Sequence, residues 1–388
     1  MEYPLTYDTW GPEELDAIQS VVNSKRFTMG PRVKEFEDNF SRKYKSKYAV
    51  MVNSGSSANL ISIASLFYKK DKPLKRGDEV IVPAISWSTT YYPLMQYGLK
   101  LRFVDVDPNT LNIDISLLND ALTENTRAVV AVNILGNPCE LDVLSDFCKK
   151  HDLYFFEDNC ESMGAELKGK SCGTFGDLGT FSTFYSHHIS TMEGGMILTD
   201  NEELYHLCLA LRAHGWTRDL PEETKIFERK SEDFFEAYRF IVPGYNVRPL
   251  EMSGAVGVEQ LKKVDRMIEI RRDNAKYFQD FFGKDKRFRI QKENGRSSCF
   301  SFTIIIEQHQ SITREKVLNT LKEHNIQYRI ITGGNFIKHD VIKYFNYDIV
   351  GGSTPHANYA HDMGFFVGNF PFPAKEHIKY LQKALSKI

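Results

Sequence analysis

The sequence predicts an α/β protein, with a large domain on a mostly parallel, buried sheet and a smaller α+β domain after it. Two observations carry this. Short continuous runs of Val, Ile, Leu and Phe alternate with helical stretches as far as residue 199, the way strands covered on both faces of a parallel sheet read. Beyond about residue 250 the alternation gives way to a long helix, then strand, helix and strand. The domains are therefore placed at 1–250, for the large domain with the N-terminal segment, and 251–388, for the linking helix and small domain.

Val33, Phe36, Phe40 and Tyr44 recur at helical spacing and mark one face of a helix. The run YAVMV then ends in a Ser/Gly turn that opens into an apolar helix. Strands are expected at residues 80–83, 101–104, 128–134, 153–156, 179–184 and 196–199. Residues 249–282 read as a long, broken helix with charges on one side, and the charges at 262–272 as its solvated face. Strands at 299–306 and 327–331 flank a helix at 314–324.

Composition narrows the function. A hydrophobic fraction of 42% and a charged fraction of 26% are ordinary for a soluble globular chain. The net charge of −2 excludes a globally basic, nucleic-acid-binding surface. No apolar run approaches the roughly 20 residues of a membrane span, and MEYPLTYDTW has no signal-peptide character, so a cytoplasmic protein is expected. The cysteines at 139, 148, 160, 172, 208 and 299 form no C-x-x-C pair, so they read as free thiols rather than ligands of zinc or an iron–sulfur cluster.

Three stretches could carry chemistry. Asn53-Ser-Gly-Ser-Ser-Ala58 opens a helix, and a helix N-terminus suits a phosphate; it could equally be a plain turn. Phe155-Phe-Glu-Asp-Asn-Cys-Glu161 puts Asp158 near the carboxyl end of a buried strand, where ligands of open α/β sheets bind. A carboxylate there can keep a heteroaromatic ring nitrogen protonated, or it can cap a helix. The third, FSTFYSHHISTMEGG, holds two adjacent histidines before a Gly-Gly turn. An imidazole can accept and donate protons at neutral pH, though a loop histidine often does neither.

In order, SGSSANL, VPAISWSTT, EDNCESMG, FSTFYSHHISTMEGG, RAHGWTR and GYNVRPLEMSGAVGVEQL closely resemble the DegT/DnrJ/EryC1/StrS sugar aminotransferase family. The likeness runs from TMGPRVKEFE nearly to the C-terminus. It implies the fold type I architecture of aspartate aminotransferase and a pyridoxal or pyridoxamine phosphate cofactor. By the same resemblance Ser56, Ser57 and Ser182 cradle the phosphate, Trp87 stacks on the ring, and Asp158 pairs with the ring nitrogen. Glu161 takes a place near the ring hydroxyl where the aminotransferases carry glutamine. Asn246 reaches the phosphate in a neighbouring subunit, which implies a homodimer with shared active sites.

One departure redirects the function. The family's aminotransferases hold the cofactor covalently through a lysine six places before Glu-Gly-Gly; counting back from Glu193 gives His187, with His188 one place later. An imidazole cannot make that bond but can shuttle a proton, so non-covalent cofactor and a catalytic His187 are expected. Histidine there resembles the family's sugar 3-dehydratases, and the absence of cluster-like cysteine spacing points to the cluster-free branch, which needs no reductase. The implied reaction removes the C3 hydroxyl of GDP-4-keto-6-deoxy-D-mannose, as in colitose biosynthesis, with L-glutamate as amino donor and ammonia released. A GDP-sugar 4-aminotransferase, a CDP-sugar 3-dehydratase and a silent sugar-binding protein are the alternatives. His214, Arg218 and Arg329 are candidate contacts for pyrophosphate and sugar hydroxyls.

Overall fold

Eight strands form the central sheet, in the spatial order Tyr48–Val52, Gly195–Thr199, Leu178–Ser182, Tyr154–Asp158, Thr126–Val132, Glu79–Pro83, Lys100–Val104 and Tyr347–Ile349. Only Gly195–Thr199 runs against the rest. The computed structural model describes residues 1–230, 232–307 and 312–388.

Because successive strand side chains point to opposite faces, each run feeds two cores. Val80, Val82, Leu101, Phe103, Val130 and Phe156 pack against Ala58, Ile61 and Ala64 of the helix Gly55–Phe67. Ile81, Val104, Val129 and Phe155 face Leu141, Leu144 and Cys148 of the helix Leu141–His151. Met51, Phe181 and Met196 meet Phe36 and Phe40 of Pro31–Tyr44, with Val258, Leu261 and Val264 of the long helix behind them.

That long helix, Glu251–Phe282, is continuous, which corrects the expected break. Its glycines permit close packing instead of interrupting it: Cβ atoms on Gly254 and Gly257 would fall 2.6 Å from Val33 N and from the Phe36 ring. The reading of residues 262–272 as a solvated face is corrected at one position. Lys262 and Arg272 pair with Glu259 and Glu269, whereas Arg271 is buried.

The second sheet is antiparallel, in the order Phe288–Ile290, Ser301–Ile306, Gly364–Gly368, Tyr328–Arg329. Phe302, Ile304 and Val367 pack there on Phe278, Val317, Leu321 and Leu381. Two pieces of chain cross between these layers. Tyr3 is buried in the second core and donates to Gly368 O at 2.9 Å, while Ile331, Phe336 and Ala357 join the first. Tyr347–Ile349, which the sequence pattern did not suggest, completes the large sheet beside Lys100–Val104. All six thiols are free, and all but Cys160 are buried. Among the described residues no helix is long and apolar enough to cross a membrane.

Candidate active site

The carboxyl ends of the parallel strands gather most of the predicted residues. Asp158 is the last residue of its strand and is buried. Its carboxylate accepts from Asn59 Nδ2 at 2.8 Å, Thr90 Oγ1 at 2.7 Å and Cys160 N at 3.1 Å. No helix follows it, so the capping reading is excluded; the carboxyl group is held in place by these three donors. Neighbouring Glu157 points the other way and binds the backbone N–H groups of Gly173, Phe175 and Gly176. It anchors a turn, while Asp158 is turned toward Asn59 and Thr90. Asn59 and Thr90 went unnoticed in the sequence, because their roles exist only once two distant turns meet.

The Ser/Gly turn is a true helix start: Ser54 caps Gly55–Phe67 and accepts from Ser57 N at 3.0 Å. Ser56 Oγ donates to Thr89 Oγ1 at 2.9 Å, and Ser57 Oγ to Asn53 Oδ1 at 2.6 Å. Ser182 adjoins this turn, its Cβ lying 2.7 Å from where Gly55 would carry one. Three hydroxyls and the first-turn N–H groups thus surround one helix end, a fit for a phosphate. Gly195 shows why the Glu-Gly-Gly turn needs its last glycine: a Cβ there would lie 2.3 Å from Ser54 O. Gly195→Ala is expected to displace the turn and destabilise the fold by about 1–3 kcal/mol, a typical cost of overpacking; thermal unfolding of the variant checks this.

Glu161 Oε2 accepts from Leu135 N at 2.9 Å and Thr332 Oγ1 at 3.1 Å. Burial pushes its carboxyl up to about 7 in spite of these bonds. Trp87 caps the helix Ser88–Gln96 and leaves 59% of its surface exposed, an indole face free to stack.

His187 lies in the loop between the strands Leu178–Ser182 and Gly195–Thr199. Its ring sits 5.3 Å from Phe300 and 5.9 Å from Phe184. Burial first, and then the Arg271 guanidinium, hold its pKa down at about 4, so the imidazole is neutral at physiological pH. Phe300 is tied to the rest of the site, its N–H donating to Leu135 O and its carbonyl accepting from Arg271.

The remaining candidates lie apart from this cluster. His214, in the left-handed region at φ 65°, donates its N–H to Tyr245 O. Arg218 lies over the Trp216 ring at 5.1 Å, and Arg329 donates to Tyr328 O. Among the described residues no contact joins these three to Asp158 or Glu161. Asn246 is exposed and accepts from Arg248 Nε at 3.1 Å. The next residue, Val247, accepts from Asn53 N, which seats this segment beside the Ser/Gly turn.

Fold and site together define a fold type I vitamin B6 enzyme. The chain belongs to the DegT/DnrJ/EryC1/StrS aminotransferase family, whose profile matches residues 8–385. It is 52% identical to a GDP-4-keto-6-deoxy-D-mannose 3-dehydratase of Yersinia pseudotuberculosis, over 100% of this chain and 99% of that one. It is similar to the solved structure of the E. coli GDP-4-keto-6-deoxy-D-mannose-3-dehydratase with bound hydrated PLP, at 52% identity and TM-score 0.97 over 99% of each chain. A further structure of a GDP-4-keto-6-deoxymannose-3-dehydratase, with a trapped PLP–glutamate geminal diamine, matches at 52% identity and TM-score 0.97, over 99% of this chain and 100% of that chain.

Proposed function

We propose that this protein removes the C3 hydroxyl of GDP-4-keto-6-deoxy-D-mannose, using non-covalently held pyridoxamine phosphate, and yields GDP-4-keto-3,6-dideoxymannose. L-Glutamate restores the amine form of the cofactor. Over one cycle the sugar loses one oxygen, glutamate becomes 2-oxoglutarate, and ammonia is released. The observation that carries this reading is His187 at the place of the anchoring lysine, inside a cradle whose other positions hold suitable side chains. The likeness to GDP-sugar 3-dehydratases supports the substrate, and the glutamate adduct of one of them supports the donor.

The hydroxyls of Ser56, Ser57 and Ser182 would hold the phosphate, Trp87 would cover the ring, Glu161 would stand near the ring hydroxyl and Asp158 would keep the ring nitrogen protonated. When bound, the cofactor supplies an amine for the C4 ketone and a ring that takes up electrons. His187, neutral in the resting site, takes up a proton at Nε2, and its imidazolium passes one to the departing C3 oxygen. The low basicity set by burial makes that imidazolium a ready donor. His214, Arg218 and Arg329 meet the pyrophosphate and sugar.

The enzyme works as a homodimer in which Asn246 reaches the phosphate in the neighbouring subunit. Exposed Tyr238 and Phe240, whose rings both lie against Trp216, support an interface, since large apolar side chains seldom cluster on a free surface. Its free thiols suit the cytoplasm.

Borohydride treatment of the protein loaded with pyridoxal phosphate tests the anchoring claim. No cofactor mass should remain on the wild-type chain, and His187→Lys should retain one equivalent. A reduced adduct on a wild-type lysine would overturn the reading.

A further inference from the structure

Among the described residues His187 Nδ1 has no hydrogen-bond partner, and the neighbouring Phe184 and Phe300 rings offer packing alone. A proton-transfer group must come within about 3 Å of the atom it serves. Its place therefore depends on the backbone beside it. On one side Phe184 and Tyr185 are exposed. On the other His188, Ile189 and Ser190 are buried in succession, each against a different part of the molecule. His188 Nε2 lies 3.1 Å from Ser298 O, and Ile189 shares a core with Phe36, Met163 and Val264.

Ser190 is held at both polar groups of its backbone. Its N–H donates to Gln260 Oε1 at 3.0 Å, and its carbonyl accepts from Trp10 Nε1 at 3.0 Å. Gln260, on the helix Glu251–Phe282, is fully buried and uses its whole amide. Oε1 also accepts from Thr9 Oγ1 at 2.8 Å, while Nε2 donates to Thr9 O at 3.1 Å and Glu14 Oε1 at 2.8 Å. Ser190 N can only donate and Thr9 O can only accept, which fixes the orientation of the amide. Glu14, buried as well, accepts from Gly11 N at 2.7 Å and Lys263 Nζ at 2.8 Å. An amide suits this place. Glutamate would set a second carboxylate against Glu14, and methionine would leave Ser190 N unpaired.

We propose that Gln260 and Trp10 are positioning residues: by holding the N–H and the carbonyl of Ser190 they keep the His187 loop where its imidazole can serve the cofactor. The inference rests on His187 as the proton-transfer group. The feet of the loop are tied separately, Thr183 N to Gly194 O and Thr191 N to Thr183 O, each at 2.9 Å. Freedom gained by releasing Ser190 thus falls on the stretch that carries His187. A displacement of about 1 Å in a reacting group can cost about 10²-fold in rate.

Covalent capture of pyridoxal phosphate by His187→Lys reads the placement of position 187 without any turnover. Borohydride stops the reaction at timed intervals, and mass spectrometry counts the adduct. Adding Gln260→Met should slow capture by about tenfold or more, as for a misplaced reacting group. Adding Trp10→Phe, which keeps an aromatic ring and removes one hydrogen bond, should slow it by about fivefold. With His187 present, Gln260→Met should lower kcat by about 10²-fold, while one cofactor still binds per chain and KM for the nucleotide sugar is unchanged. Equal capture rates with and without Gln260→Met would overturn the proposal. If that variant does not fold, an unchanged rate with Trp10→Phe would overturn it. A fall in kcat matched by lost cofactor stoichiometry would make Gln260 merely structural, which also overturns it. Normal turnover in His187→Asn would instead strike the proton-transfer assignment, and the capture rates are independent of that result.

Discussion

Replacing His187 with asparagine is expected to lower dehydration by about 10³-fold, near the middle of the range for loss of a general acid–base group, while cofactor still binds. The side chain keeps a polar amide of similar reach but can neither take up nor deliver a proton. Ser56, Ser57 and Ser182, the proposed phosphate cradle, and the Asp158 carboxylate lie on other elements and remain in place. Single-turnover rates and absorbance titration with pyridoxamine phosphate separate the two quantities. Near-normal turnover would move the base elsewhere.

Asp158→Asn should produce the second large effect, on affinity, turnover and stability together. The carboxylate only accepts, and three donors point at it: Asn59 Nδ2 and Thr90 Oγ1 on one oxygen, Cys160 N on the other. Whichever way an amide turns, its NH2 group meets one of these N–H donors in a buried place. That conflict should cost about 1–3 kcal/mol of stability, the price of an unsatisfied buried polar group. With the proposed partner of the ring nitrogen gone, turnover should fall by about 10²-fold or more, as when one electrostatic partner of a reacting group is removed. Thermal unfolding, cofactor titration and kcat measure the three consequences. Unchanged cofactor affinity would argue against Asp158 as the ring partner.

How far the sequence reaches can be seen from particular residues. Asp158 was legible because an apolar strand running into acids places it at the carboxyl edge of a parallel sheet, whereas Ser182 was named only by the family resemblance. His187 stood out against the family pattern, not from its own surroundings. Asn59, Thr90 and Thr332 were not legible, since each bonds a carboxylate far away in sequence and has no local signature. The continuous helix Glu251–Phe282 was misread as broken because Gly254 and Gly257 look like interruptions until the helix Pro31–Tyr44 lies against them. Arg271 was hidden among solvated charges for a related reason: a helix surface looks polar in sequence even where one cation turns into the protein. The edge strand Tyr347–Ile349 is short and half exposed, with no apolar run to mark it.

The central claim is that this aminotransferase fold, with histidine in place of lysine, removes oxygen from its sugar without transferring nitrogen to it. The direct measurement is product analysis with GDP-4-keto-6-deoxy-D-mannose, L-glutamate and pyridoxal phosphate, without reductase, following nucleotide sugar by mass and ammonia by enzymatic assay. The account predicts a 4-keto sugar lighter by one oxygen and one equivalent of ammonia per turnover. A 4-amino sugar retaining its C3 hydroxyl, with no ammonia released, would contradict it.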